Sequence, residues 1–128
     1  MLAISRKRPP SLKQGKYRLR FEAEAWEEWK RLDGAPKQEL RELLIARLDN
    51  PKVPGSALKG ELAGCYKIKL RKSGYRLVYE VIDDIVVVLV LAVDKREDSA
   101  AYTAAVKRLA APSRAEVVRA IKTRPGKT

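Results

Sequence analysis

Three stretches of this chain alternate apolar with polar or charged residues, the two-residue period of a half-buried strand. They are Tyr17-Arg18-Leu19-Arg20-Phe21, Cys65–Arg71 and Tyr75–Ile82. A fourth run, Ile85–Val93, is apolar throughout, as expected of a central strand covered on both faces. Helical spacing appears elsewhere. Ala23, Trp26, Trp29 and Leu32 recur every three residues, and Leu40, Leu43, Leu44 and Leu48 form one face of a second helix. Gly34 ends the first helix, Pro36 suits the first turn of the second, and Asn50-Pro51 stops it.

Prolines and glycines at 51, 54, 55, 60 and 64 mark the next segment as a loop. Short connections at Lys72-Ser73 and Asp83-Asp84 join the last three strands as antiparallel hairpins. A helix is expected from about Ser99 to Ala111, broken by Pro112. Ser113-Arg114-Ala115-Glu116 then has the pattern of a capping box opening a short terminal helix through Val117, Val118 and Ile121. The order β-α-α-β-β-β-α-α predicts one α+β domain, an antiparallel sheet packed against an N-terminal helical hairpin. Residues 17–111 form its body. Residues 1–16 read as a basic, flexible extension, and 112–128 as a basic C-terminal extension with a short helix.

Charge changes the picture. With 28 Lys+Arg against 16 Asp+Glu the formal net charge is +12, which points to a polyanionic partner. The excess is uneven: residues 51–79 hold seven basic residues against Glu61 alone, whereas 21–50 hold eight acidic against five basic. A single cysteine, Cys65, excludes an internal disulfide and a CxxC zinc arrangement, and with no histidine the common acid–base and metal-ligand side chain is missing. No Gly-rich phosphate loop occurs, and neither a cofactor nor a metal is expected. Asp83-Asp84 reads as a turn and Glu97-Asp98 as a helix cap rather than a metal pair. The nine-residue apolar run 85–93 is too short for a membrane-spanning helix, and the first ten residues do not resemble a signal peptide. The cytoplasm is the expected location.

The candidate chemistry lies on the first of these hairpins. Alternation puts Tyr66, Ile68 and Leu70 on one face and Lys67, Lys69 and Arg71 on the other. A short turn pairs residues whose numbers sum to 145, so Lys69 faces Arg76 and Lys67 faces Val78. Like charges opposed across strands cost roughly 0.2–1 kcal/mol, so folding does not ask for them. The bland alternative is a solvated face that keeps a sheet soluble. The functional one is a cationic floor for RNA phosphates. Lys, Arg and Tyr suffice for ribonucleolysis by the adjacent 2′-OH. That reaction needs a base for the hydroxyl, cations around the phosphorus and a proton for the leaving oxygen.

Cys65–Arg71 and Ser73-Gly74-Tyr75-Arg76-Leu77-Val78-Tyr79 resemble the central hairpin of RelE toxins. Val86-Val87-Val88, Lys95-Arg96-Glu97, Ser99, Tyr102 and Ala105-Val106-Lys107-Arg108 continue the likeness in order, and the Tyr17–Leu32 segment, with Trp29-Lys30-Arg31-Leu32, resembles the family's first strand and helix. The resemblance covers roughly residues 17–111. It implies a microbial-RNase-like fold and cleavage of mRNA in the ribosomal A site of the 70S ribosome, against ribosomal RNA. It also implies a cognate RelB-like antitoxin in a hetero-oligomer. Carried across residue by residue, it places the catalytic set on Lys67, Lys69, Arg76, Arg96 and Tyr102. Arg71, Lys72 and Lys95 are expected to add RNA contacts. In such enzymes a lysine or the tyrosine acts as base and arginines hold the phosphate. Taken alone, Arg96 reads equally as a loop salt bridge with Glu97 or Asp98, and Tyr102 as a half-buried helix aromatic. Two other classes compete: a gyrase-poisoning relative, which would lack the Lys/Arg/Tyr set, and a non-catalytic RNA- or ribosome-binding module, which would not need Tyr102. Lys59 lies near a basic position of the family, but the loop before Cys65 is one residue longer, so it is not counted.

Overall fold

The computed structural model describes residues 16–95 and 98–122, with the backbone alone for Asp98 and Ser99. The expected flexibility of the N-terminal extension therefore falls almost wholly on residues outside those described. In chain order the elements are β1 (Arg18–Phe21), α1 (Ala23–Arg31), α2 (Gly34–Arg47), β2 (Cys65–Lys69), β3 (Arg76–Ile82), β4 (Val87–Asp94), α3 (Asp98–Leu109) and α4 (Pro112–Lys122). The α+β fold read from the pattern is present. The sheet order is β1-β4-β3-β2.

One feature of the sheet differs from expectation. β2, β3 and β4 form the antiparallel meander, but β1 pairs parallel with β4, from Arg18 opposite Val87 to Phe21 opposite Val90. The sheet is mixed. β4 is buried from Val87 to Val93 and needs a neighbour on each side. The helical hairpin α1–α2 provides the long connection from β1 to the far edge, so β1 returns beside the last strand in the same direction. Alternation within β1 carries no information about its partner's direction.

Two apolar layers cover the sheet. One face packs Ile68, Leu70, Leu77, Tyr79, Val88, Val90 and Val93 against Ala25, Trp29, Leu32, Leu40, Leu44 and Leu48 of the hairpin. The opposite face packs Cys65, Val78, Val87, Leu89, Leu91 and Ala92 against Ala101 and Ala105 of α3, with Leu62 of the loop and Val117 and Ile121 of α4. Two expected core positions are not in it. Trp26 is 43% exposed, set edge-on to Phe21, and Leu43 is 40% exposed. A strict three-residue spacing drifts around a 3.6-residue helix, so Ala25, Trp29 and Leu32 take the buried stripe instead.

The loop of residues 51–64 is tied to the strands and to α2. Its Ala57 bridges Tyr66, and short 3-10 turns occupy Pro54–Ser56 and Gly60–Leu62. Arg47 donates to the hydroxyl of Tyr79 (2.7 Å), to the Lys67 carbonyl (3.3 Å) and to Ser56 Oγ (3.3 Å), while Tyr79 donates to the Pro51 carbonyl (2.7 Å). The Asp83-Asp84 connection is a 3-10 turn ending at Val86, whose φ of 55° is left-handed. Its carbonyl accepts from Arg18 N, joining that turn to β1.

At the C-terminal end, Pro112 opens α4 rather than preceding it. The capping-box reading of Ser113 fails for a long-range reason: its Oγ donates to the carboxylate of Glu22, which is fully buried. Glu22 in turn caps α1 through Glu24 N and Ala25 N. Arg108 on α3 binds both carboxylate oxygens of Glu28 at 2.9 Å and the Leu91 carbonyl at 2.9 Å. These contacts tie α1, α3 and α4 together at one end of the sheet. Among the described residues no helix is long and apolar enough to cross a membrane.

Candidate functional site

The register of the first hairpin is the one its sequence predicts: Lys67 lies opposite Val78 and Lys69 opposite Arg76. The connection is a four-residue turn, Arg71–Gly74, closed by Leu70 N to Tyr75 O and Gly74 N to Leu70 O, both 2.9 Å. Gly74 has a φ of +84°, a conformation other residues adopt only under strain. Arg76 continues the row, facing Asp94 on β4. A bulge between Val78 and Tyr79 lets both Leu91 and Ala92 of β4 join the same apolar layer.

Cys65 and Val78 fix which face the cations occupy. Both belong to the layer beneath α3, and Lys67, Lys69 and Arg76 follow them at two-residue spacing. Tyr102, half-buried in the second turn of α3, packs against that same layer. Four of the five expected catalytic residues therefore share one side of the sheet. The fifth, Arg96, lies outside the described residues, in the short connection between Asp94 and α3. Its expected salt bridge with Glu97 or Asp98 lies there too.

The flanking cations gather at the same end. Arg71 and Lys72 are exposed in the hairpin turn. Lys95, also exposed, sets its ammonium 5.6 Å from the centre of the Tyr75 ring, and its carbonyl lies 3.7 Å from where a Gly74 side chain would begin. The hairpin turn thus adjoins the β4–α3 connection. Arg76 is half-buried and donates to the Gly74 carbonyl at 2.7 Å, which orients its guanidinium along the sheet end.

Two acids of the described strands share this face: Asp94, opposite Arg76, and Glu80. Glu80 lies opposite Cys65 and has the same parity as Val78 and Arg76. Both its oxygens are bound by Arg114 of α4, Nε at 2.9 Å and Nη2 at 2.8 Å. Alternation along β3 would have located Glu80, but nothing local signals its partner 34 residues away. Burial, and then the charge of Glu80, pushes the Cys65 thiol up to about 12. Asp83 and Asp84 take no part here: Asp83 binds Lys52 and Tyr17, and Asp84 pairs with Lys122. Among the described residues no group of three His, Cys, Asp or Glu could hold a metal ion. A groove of about 500 Å³ lies elsewhere, between β1 and α2, lined by Leu19, Phe21, Trp29 and Leu44 among others. Lys67, Lys69, Arg76 and Tyr102 lie instead on the face beneath α3.

Known proteins resemble this chain in sequence and in fold. Residues 12–100 match the family described as ParE toxin of type II toxin–antitoxin system, parDE. The mRNA interferase toxin RelE of Escherichia coli strain K12 is 47% identical over 93 residues, spanning 73% of this chain and 97% of the relative. The crystal structure of the isolated E. coli RelE toxin superposes with a TM-score of 0.61 at 46% identity, covering 73% of this chain and 98% of that one. The toxin in the intact E. coli RelBE toxin–antitoxin complex gives a TM-score of 0.60 at 46% identity, over 63% of this chain and 98% of that one. The chain belongs to the ParE-type toxin family of type II toxin–antitoxin systems, on its RelE branch.

Proposed function

We propose that this chain is the toxin of a type II toxin–antitoxin pair and an endonuclease that cuts mRNA held in the ribosomal A site, arresting translation in the cytoplasm. Residues 17–111 are the toxin domain, and its partner off the ribosome is a RelB-like antitoxin. The observation that carries the reading is the Lys69–Arg76 row on the same face as Lys67 and Tyr102. Two cations directly opposed disfavour folding, and a phosphodiester laid over them relieves that repulsion.

The reaction is an attack of the 2′-oxygen on the adjacent phosphorus. A base on this face, Lys67, Lys69 or Tyr102, takes the 2′-hydroxyl proton as the new O–P bond forms. Arg76 holds the non-bridging oxygens while charge develops on them. The bond from phosphorus to the 5′-oxygen breaks, and the leaving oxygen takes a proton from the Arg96 guanidinium. The products are a 2′,3′-cyclic phosphate and a 5′-hydroxyl end. No water or metal enters this step. Arg71, Lys72 and Lys95 bind neighbouring phosphates without reading sequence.

The test is cleavage of a defined message by purified protein, with and without 70S ribosomes presenting it. Cuts within the A-site codon, only with ribosomes and with a cyclic-phosphate end, are expected, and they should vanish in the Arg96→Ala/Tyr102→Phe double variant. Salt-sensitive RNA binding with no cyclic phosphate, or DNA breaks in expressing cells in place of truncated message, would overturn the proposal.

A further inference from the structure

α4 lies beyond residues 12–100 that match the family, yet it packs on the cationic side of the sheet and reaches the strands there through a polar contact. That contact is the two-pronged bond from Arg114 to Glu80, both side chains largely shielded, at 25% and 17% exposure. Such paired, charge-assisted bonds fix both partners in direction as well as distance.

Glu80 sits where it can do damage. It lies opposite Cys65, and Lys67 is the next residue along β2 on that face. A cross-strand diagonal of this kind separates the two backbones by about 7–8 Å, well within the combined reach of a lysine and a glutamate. A free Glu80 carboxylate would draw the Lys67 ammonium to itself. It would also repel the phosphate that the face is built to hold. On that face Glu80 has Lys67 diagonally across on β2 and Arg114 on α4; Cys65, directly opposite, is a neutral thiol, and Arg76 lies further along β3 beyond Val78. Of these, Arg114 is the one that occupies both carboxylate oxygens.

We propose that Arg114 is a positioning residue: by engaging both oxygens of Glu80, α4 keeps that acid from capturing Lys67 and leaves the lysine aimed at the RNA. The inference rests on the role given to Lys67 above. The Cys65 thiol supports it, since its upward shift is reinforced by Glu80 and opposed by Arg114, which places both charges within range of this end of β2.

The experiment uses the full chain and three variants: Arg114→Ala, Glu80→Gln and the two combined. Cleavage on programmed ribosomes should fall roughly three- to tenfold in Arg114→Ala, the range set by a partly shielded ion pair. Glu80→Gln alone should cleave like the parent protein. The double variant should recover, because it no longer holds an acid to capture the lysine. If Arg114 mattered only for anchoring α4, the double variant would stay as slow as Arg114→Ala, and the proposal would be wrong. A second readout needs no RNA. The rate at which the Lys67 amine is acetylated, followed by mass spectrometry, should drop in Arg114→Ala and return in the double variant. An unchanged labelling rate overturns the proposal. Altered labelling without any effect on cleavage would keep the Glu80–Lys67 contact and instead refute the catalytic role of Lys67.

Discussion

Lys69 stands directly across from Arg76 on the neighbouring strand, two cations paired beside a hairpin turn whose Arg71 and Lys72 are exposed to solvent. Arg76 is held by the Gly74 carbonyl, whereas Lys69 is exposed. Replacing Lys69 with Ala removes the repulsion without opening a cavity. Stability should therefore hold steady or rise by as much as ~1 kcal/mol. Cleavage should fall on the order of a hundredfold, the usual scale for a lost proton-transfer or charge-stabilising group. Urea unfolding and single-turnover cleavage measured on one preparation separate the two effects. A clear loss of stability would mark Lys69 as structural.

Tyr102 offers a cleaner separation of ring from hydroxyl. Its ring packs on the layer formed by Cys65, Val78 and Ala92, so Tyr102→Phe preserves the packing. Melting should shift by less than about 0.5 kcal/mol, while cleavage falls by roughly a hundredfold. Tyr102→Ala would confound the two, because it also removes apolar contact. Equal cleavage by the Phe variant would exclude the hydroxyl from the reaction.

The hairpin was legible because two local signals agreed. Alternation fixed the faces, a short turn fixed the register, and both Lys69 opposite Arg76 and Lys67 opposite Val78 followed. The helix faces were read less well. Spacing puts Trp26 and Leu43 on the buried stripes, whereas the first helix buries Ala25 beside Trp29 and the second buries Leu40, Leu44 and Leu48 without Leu43. Nothing in Tyr17–Phe21 specifies a parallel partner, since alternation is the same for either direction. The longest-range contacts were invisible. Glu22 to Ser113 and Glu80 to Arg114 join residue types common on any surface, and only the folded chain brings them together.

Glu22 predicts a large stability effect outside the site. Fully buried, it caps α1 through two backbone amides and receives Ser113 from α4, with Arg108 nearby. Glu22→Ala leaves those amides, the hydroxyl and part of the Arg108 charge short of a partner. The loss should be about 3–5 kcal/mol, the scale for breaking a buried charged network. Chemical denaturation should show a lower midpoint, with cleavage per folded molecule retained. A loss below about 1 kcal/mol would show that water replaces the carboxylate.

Cys65 sets a prediction for alkaline pH. Its side chain is fully buried, and burial with the Glu80 charge raises the thiol from 9.0 to about 12. In the unfolded chain the thiol ionises near its ordinary value, so between these two pH values the unfolded state has released a proton that the folded state retains. Stability from this group is complete below about pH 9 and drains away as pH rises toward 12, by roughly 4 kcal/mol over the whole window. Comparing urea unfolding at pH 8 and pH 10.5 for the parent and Cys65→Ala isolates the effect. Lysines and tyrosines titrating in the same range are common to both proteins. The parent should lose about 2 kcal/mol more than the variant over that interval. The native thiol should also resist alkylation at pH 8 until the protein unfolds. Parallel pH slopes for the two proteins would mean that the thiolate is tolerated in the fold, and that the apolar layer under α3 admits water beside Cys65.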